Sequence, residues 1–198
     1  TLARNYGDST LYWHGVDVNI SARTAMGLVL QGGTSTGRRV EDACDLIIDD
    51  PSRRNCSVEY PFLTDIRGLA SYVVPRIDVQ VATTWQSRPG PEILANWAVP
   101  NSVIQPSLGR PLSGGAANTN VNLLNPGQMY GDRINQLDFR FGKILRFGRT
   151  RTIVGVDIYN ITNSSVTLTY NNTYGTTWLR PTAFMPARWV KITGQLNF

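Results

Sequence analysis

Apolar and polar side chains alternate with a period of two along seven stretches of this chain, each bounded by turn residues, the pattern of strands with one apolar face. Over residues 14–23, His14, Val16, Val18, Ile20 and Ala22 share one face, and Gly15, Asp17, Asn19, Ser21 and Arg23 the other. A short turn at 24–27 leads to a second strand over 28–37, with Leu28 and Leu30 on its apolar side. Residues 64–74 place Ile66, Gly68, Ala70, Tyr72 and Val74 together. A reversal at Pro75-Arg76 opens the strand 77–86, where Ile77, Val79, Val81, Thr83 and Trp85 oppose Asp78, Gln80, Ala82, Thr84 and Gln86. Residues 134–147 set Leu137, Phe139 and Phe141 against Gln136, Asp138, Arg140 and Gly142; residues 152–162 set Val154, Val156 and Ile158 against Gly155, Asp157 and Tyr159. The last strand, 189–198, alternates Val190, Ile192, Gly194, Leu196 and Phe198 with Trp189, Lys191, Thr193, Gln195 and Asn197.

The connections are sorted by length. Those at 24–27, 75–76 and 148–150 are short, and those at 38–63, 87–130 and 163–186 are long and polar, the middle one with room for a short hairpin. Transmembrane barrels have short periplasmic turns and long external loops, so the pattern predicts an all-β, antiparallel transmembrane β-barrel. A soluble β-sandwich alternates in the same way but has no reason to sort its loops, and stands as the competing fold. The barrel reading puts Val16, Val79, Phe139, Val156 and Ile192 toward lipid, and Asp17, Gln80, Asp138, Asp157 and Thr193 toward the lumen. Seven strands is an odd number, whereas single-chain bacterial barrels have even ones, so residues 1–198 are expected to be the C-terminal fragment of a larger barrel.

Composition supports strands over helices: apolar residues make up 41% of the chain and charged ones only 17%, with 18 Gly and 11 Pro. No apolar run approaches the ~20 residues a membrane-crossing helix needs, so a membrane would be crossed with strands. The net charge of +5 comes from scattered basic residues without a patch of interleaved aromatics, which argues against nucleic acid. Cys44 and Cys56, in a polar stretch, read as a disulfide stapling an exposed loop, against the alternative of two free thiols, and imply an oxidising compartment.

Few residues carry chemistry. Asp17, Asp78, Asp138 and Asp157 fall on polar strand faces, where Arg140 and Lys191 can pair with them, and all six are candidates for a lumen lining. They lie on different strands with no nucleophile or oxyanion motif beside them, so no catalytic role is expected. The single histidine, His14, supports neither a triad nor a metal site, and Gly32-Gly33 and Gly114-Gly115 match no phosphate-binding loop. No cofactor is expected. Tyr12, Trp85, Tyr130, Phe147, Tyr159 and Phe198 are candidates for interfacial aromatic anchors.

The run from Asn135 to Arg151 (NQLDFRFGKILRFGRTR), continued by Val154-Gly155-Val156-Asp157-Ile158-Tyr159-Asn160-Ile161-Thr162-Asn163, resembles the closing strands of TonB-dependent outer-membrane receptors, with Oar-like receptors the nearest in kind. Tyr12-Trp13-His14-Gly15-Val16-Asp17-Val18 and Gly68-Leu69-Ala70-Ser71-Tyr72-Val73-Val74-Pro75 extend the resemblance over most of the chain. It implies a barrel of about 22 strands in the outer membrane of a Gram-negative bacterium, occluded by a plug and energised through TonB, that takes up or exports a substrate. It also implies that Phe198 is read by the outer-membrane assembly machinery. The plug and the TonB-contacting box are not recognisable in these residues. A non-transporting outer-membrane anchor or adhesin, and a soluble binding module, are the competing functions.

Overall fold

The computed structural model describes residues 7–47, 52–148 and 150–197. In chain order the strands are β1 (Thr10–Arg23), β2 (Val29–Asp42), β3 (Ser57–Glu59), β4 (Leu63–Val74), β5 (Val79–Arg88), β6 (Asn96–Pro100), β7 (Asn118–Asn122), β8 (Ile134–Phe147), β9 (Thr150–Tyr159), β10 (Thr167–Tyr170), β11 (Pro181–Phe184) and β12 (Trp189–Asn197). One short helix, α1 (Asn101–Leu108), ends where Gly109 takes φ 70, a left-handed conformation that glycine adopts at no steric cost.

The main sheet has eight strands. Seven long ones run in the order β1-β2-β4-β5-β8-β9-β12, every neighbour antiparallel, and β3 adds to β2. These seven are the strands that the alternation predicts. They hold 9 to 14 residues each, against the roughly 9–11 that a tilted strand needs to cross a bilayer. The sheet does not close, and β1 and β12 are its edges.

Directly paired residues of an antiparallel ladder project to the same face, so the register extends each strand's alternation across the sheet. One row reads Ala22–Leu30–Ala70–Thr83–Phe139–Ile158–Val190 and the next Tyr72–Val81–Phe141–Val156–Ile192. On the other face the rows read Arg23–Val29–Ser71–Ala82–Arg140–Asp157–Lys191 and Asn19–Gly33–Arg67–Gln86–Gln136. Val16, Val79, Phe139, Val156 and Ile192 share the apolar face, and Asp17, Gln80, Asp138, Asp157 and Thr193 the polar one, as the sequence predicts.

In β8 and β9 burial is inverted relative to a water-soluble sheet: Phe141, Val154 and Val156 on the apolar face are exposed, whereas Asp157 on the polar face is only 6% exposed. The edge strands β1 and β12 are exposed on both faces. Val79 departs from its neighbours: it is buried, beside Lys143 at the short-turn end.

Two boundaries correct the sequence reading. The ladder between β4 and β5 closes at Val74–Val79, so residues 75–78 form the turn and Asp78 lies in it rather than on a strand. Alternation runs on through Ile77 and Asp78, but Arg76 and Asp78 take φ 72 and 49, which no strand accommodates. β1 and β2 also run past the predicted ends, out to Thr10–Asp42, and in the added part Arg38 pairs with Glu59 of β3 and Arg39 with Glu41.

The long connections are ordered. β6 and β7 form a hairpin within 87–130 and β10 and β11 another within 163–186. The two are stitched together by Trp178 Nε1 donating to the Leu94 carbonyl (2.9 Å) and Asn96 N donating to the Asn172 carbonyl (2.8 Å). Ile93, Ala95, Val99, Ile134 and Met185 are buried in this layer and at its junction with β8.

Cys44 and Cys56 are disulfide-bonded in the connection from β2 to β4. A loop of this size constrains the unfolded chain by about 3 kcal/mol in the chain-entropy model. Replacing both cysteines by serine should lower the unfolding free energy by about that amount, read from denaturant midpoints with and without reductant; a parent protein indifferent to reductant would show that the bond does not contribute.

Candidate functional site

The polar face is built by strand parity: every second residue of β1, β2, β4, β5, β8, β9 and β12 points to it. Arg140 on β8 and Asp157 on β9 are register partners, and Nε lies 3.5 Å from Oδ1 in an ion pair that lacks hydrogen-bond alignment. Lys191 is the register partner of Asp157 from β12, so the three predicted charges form one row. Asp138 accepts hydrogen bonds from Gln136 Nε2 (2.9 and 3.0 Å) and from the Asn160 backbone N–H (2.8 Å). Gln136 in turn accepts from Gln86 Nε2 at 2.8 Å, which continues a polar ladder across β5 and β8. Asp17 lies on the same face in the row Asp17–Ser35–Asp65. Asp78 stands apart at the short-turn end, where it accepts from Arg146 Nη2 at 2.8 Å.

Of the predicted residues, Asp17 and Asp138 line an open hollow of about 850 Å³ on the polar face, together with Asn19, Asp65, Arg67 and Gln136, whereas Arg140, Asp157, Lys191 and Asp78 lie outside it. Its charged lining is three aspartates, Asp17, Asp65 and Asp138, against the single Arg67, so the hollow is net acidic. Asp65, Arg67, Gln86 and Gln136 were not singled out in the sequence, although the parity of their strands places them here. Arg133 is not part of the hollow: it sits outside any strand at the long-connection end, where its guanidinium reaches the Ser87 hydroxyl (2.7 Å) and the Thr64 carbonyl (2.5 Å), two residues with the parity of the apolar face.

At the long-connection end of the same face a second cavity of about 340 Å³ is lined by Trp13, Arg39, Tyr60, Asp65, Glu92 and Tyr130, among others. Glu92 is held by the Gly127 backbone N–H at 2.5 Å. Burial, reinforced by the nearby Glu92 and Tyr60, pushes the Tyr130 phenol above its usual range, so it remains a protonated donor at neutral pH.

The predicted aromatic anchors divide. Tyr12, stacked on His14 with ring centroids 6.2 Å apart, and Trp85 are exposed on the apolar face. Tyr159 is not on that face: its parity is that of Asp157, and its ring stacks on Trp189 with centroids 4.2 Å apart. Tyr130 belongs to the loop layer, bridged to Glu92. Phe198 and the side chain of Phe147 lie outside the described residues. Among the described residues no three His, Cys, Asp or Glu side chains gather as a metal site.

Comparison with protein-family models, with curated proteins and with solved structures finds no match to this chain.

Proposed function

We propose that this chain is part of the wall of an outer-membrane β-barrel of the TonB-dependent receptor kind, in a Gram-negative bacterium, and that its polar face lines the path of a transported solute. The distribution of charge over the two faces carries the reading. In the seven long strands the apolar face bears charge only at Arg38 and Asp42, toward the long connections, and at Lys143, toward the short turns. Between these ends it carries no charge and exposes large apolar side chains, among them Val16, Ile20, Trp85, Phe141, Val156 and Ile192, which water would penalise and hydrocarbon would not. Arg38 is further paired with Glu59 and stacked 5.2 Å from the Phe62 ring centroid, an arrangement suited to a membrane–water interface.

An open sheet edge cannot rest in lipid, because each unpaired backbone group there costs several kcal/mol. With seven antiparallel strands, β1 and β12 run in the same direction, so antiparallel closure requires an odd number of further strands between them. A second copy in the same membrane orientation would meet β1 and β12 parallel, so such copies cannot close the ring antiparallel by edge pairing alone.

Thiol labelling in the cells that make the protein tests the reading. A cysteine introduced as Ile192→Cys or Val156→Cys should react with a lipid-soluble maleimide and resist a charged one, and Thr193→Cys should do the reverse, all in the outer-membrane fraction. Equal reactivity of all three toward the charged reagent, or recovery in the soluble fraction, would reject it.

A further inference from the structure

We propose that the cavity at the long-connection end of the polar face is a binding site for a neutral, hydroxyl-rich ring, such as a hexose unit of an oligosaccharide. The proposal deepens the transport reading and rests on it for the route of the solute, though not for the chemistry of the pocket. Trp13 supplies the platform. It projects to the polar face of β1, and a Cβ at Gly15 or at its register partner Gly37 would collide with the indole, so the ring lies flat over two paired glycines. One indole face is thereby packed on backbone. Trp13 is nonetheless 52% exposed and lines the cavity, which leaves its other face for a ligand. A ring fixed in this way loses little conformational freedom on binding, and the C–H face of a sugar stacks on such a surface.

The charges around the platform select among ligand classes. The Tyr60 ring already carries the Arg39 guanidinium at 4.2 Å, so a cationic ligand would meet a cation in the place an aromatic cage would offer it. An anionic ligand would meet Glu92 and Asp65, and Arg39 is already matched by Glu41 at 2.9 Å. A neutral polyhydroxylated ring suits both sets, with carboxylates to accept from its hydroxyls and guanidinium and phenol groups to donate to them. Asp65 lines the cavity; its Oδ1 is enclosed, 3.8 Å from Arg67 Nη2, which leaves Oδ2 as the acceptor it can offer. The cavity volume, about 340 Å³, lies at the small end of the roughly 300–1,000 Å³ of ligand sites.

The test is isothermal titration of the complete barrel that contains this chain, folded in detergent, with maltose, cellobiose and lactose, and in separate arms with choline and citrate. At least one disaccharide should saturate the protein, and Trp13→Ala should weaken it about tenfold or more. Asp65→Asn, which keeps the shape of the site, should weaken it several-fold and serves if Trp13→Ala fails to fold. Binding of choline or citrate in place of the sugars, no binding of any disaccharide to heat-modifiable, folded protein, or full affinity in both variants would overturn the proposal and leave the barrel reading standing. Sugar binding by a chain that stays monomeric and soluble without detergent would do the opposite.

Discussion

Arginine in place of Ile192 is expected to destabilise the folded protein in a bilayer by about 2–4 kcal/mol, and arginine in place of its neighbour Thr193 by well under 1 kcal/mol. The two positions are adjacent in β12, so strand propensity, edge position and distance from the chain terminus are matched, and only the face differs. Ile192 lies in the row with Val156 and Phe141, with Lys143 one row nearer the short turns, and a guanidinium there would have to remain in hydrocarbon or drag water and headgroups to it. Thr193 lies beside Gly155, to whose carbonyl its hydroxyl donates at 3.4 Å, on the face that already holds Arg140, Asp157 and Lys191. Denaturant-induced unfolding of the complete barrel that contains this chain, from phosphatidylcholine vesicles, would read both values. Equal cost at the two positions would remove the membrane assignment, and the reverse order would favour a sandwich that buries its apolar face.

Truncation of Asn160 should be still more costly, at about 4 kcal/mol. This residue is 2% exposed and takes φ 50, a left-handed conformation that asparagine tolerates and alanine does not. Its Nδ2 donates to the Ser164 carbonyl (2.8 Å) and the Pro186 carbonyl (2.9 Å), and its Oδ1 accepts from the Ser164 N–H (2.9 Å). One side chain thus ties the end of β9 to the start of the following loop and to the residues that precede β12. Alanine would leave three backbone groups without partners, each costing about 1–3 kcal/mol where buried, in addition to the strain of the positive φ. Asn160→Gly, which relieves the strain alone, should recover about 1 kcal/mol of the loss. Asn160→Asp keeps the acceptor and loses both donors, and should fall between. Denaturant midpoints of the three variants separate the contributions, and an alanine variant within 1 kcal/mol of the parent would contradict the network.

Strand identity and strand face were written in the sequence, because the pleat repeats every two residues and each strand carries its own copy of the pattern. Hence the seven long strands, the grouping of Val16 with Ile192 and of Asp17 with Asp157, and the room for a short hairpin within 87–130 could be read from one chain, but not where that hairpin lies. The pairing of Cys44 with Cys56 followed from composition and from there being no other cysteine. Strand ends were less legible, since alternation continues into Asp78 while the decision to turn belongs to backbone dihedrals at Arg76 and Asp78.

What brings distant residues together was decided only by the tertiary structure. The register sets Arg140 between Ala82 and Asp157, and a slip of one residue in either ladder would send the same charge to the apolar face. The second cavity gathers Trp13 from β1, Arg39 from β2, Tyr60 from a loop, and Glu92 and Tyr130 from the long connection after β5. Periodicity acts over neighbours along one strand and says nothing of loops, whose conformations depend on caps, positive φ values and contacts made across many residues of sequence. The faces of this protein are therefore a local property of its chain, whereas the pocket at the end of the sheet exists only once β1, β2 and the loops have docked.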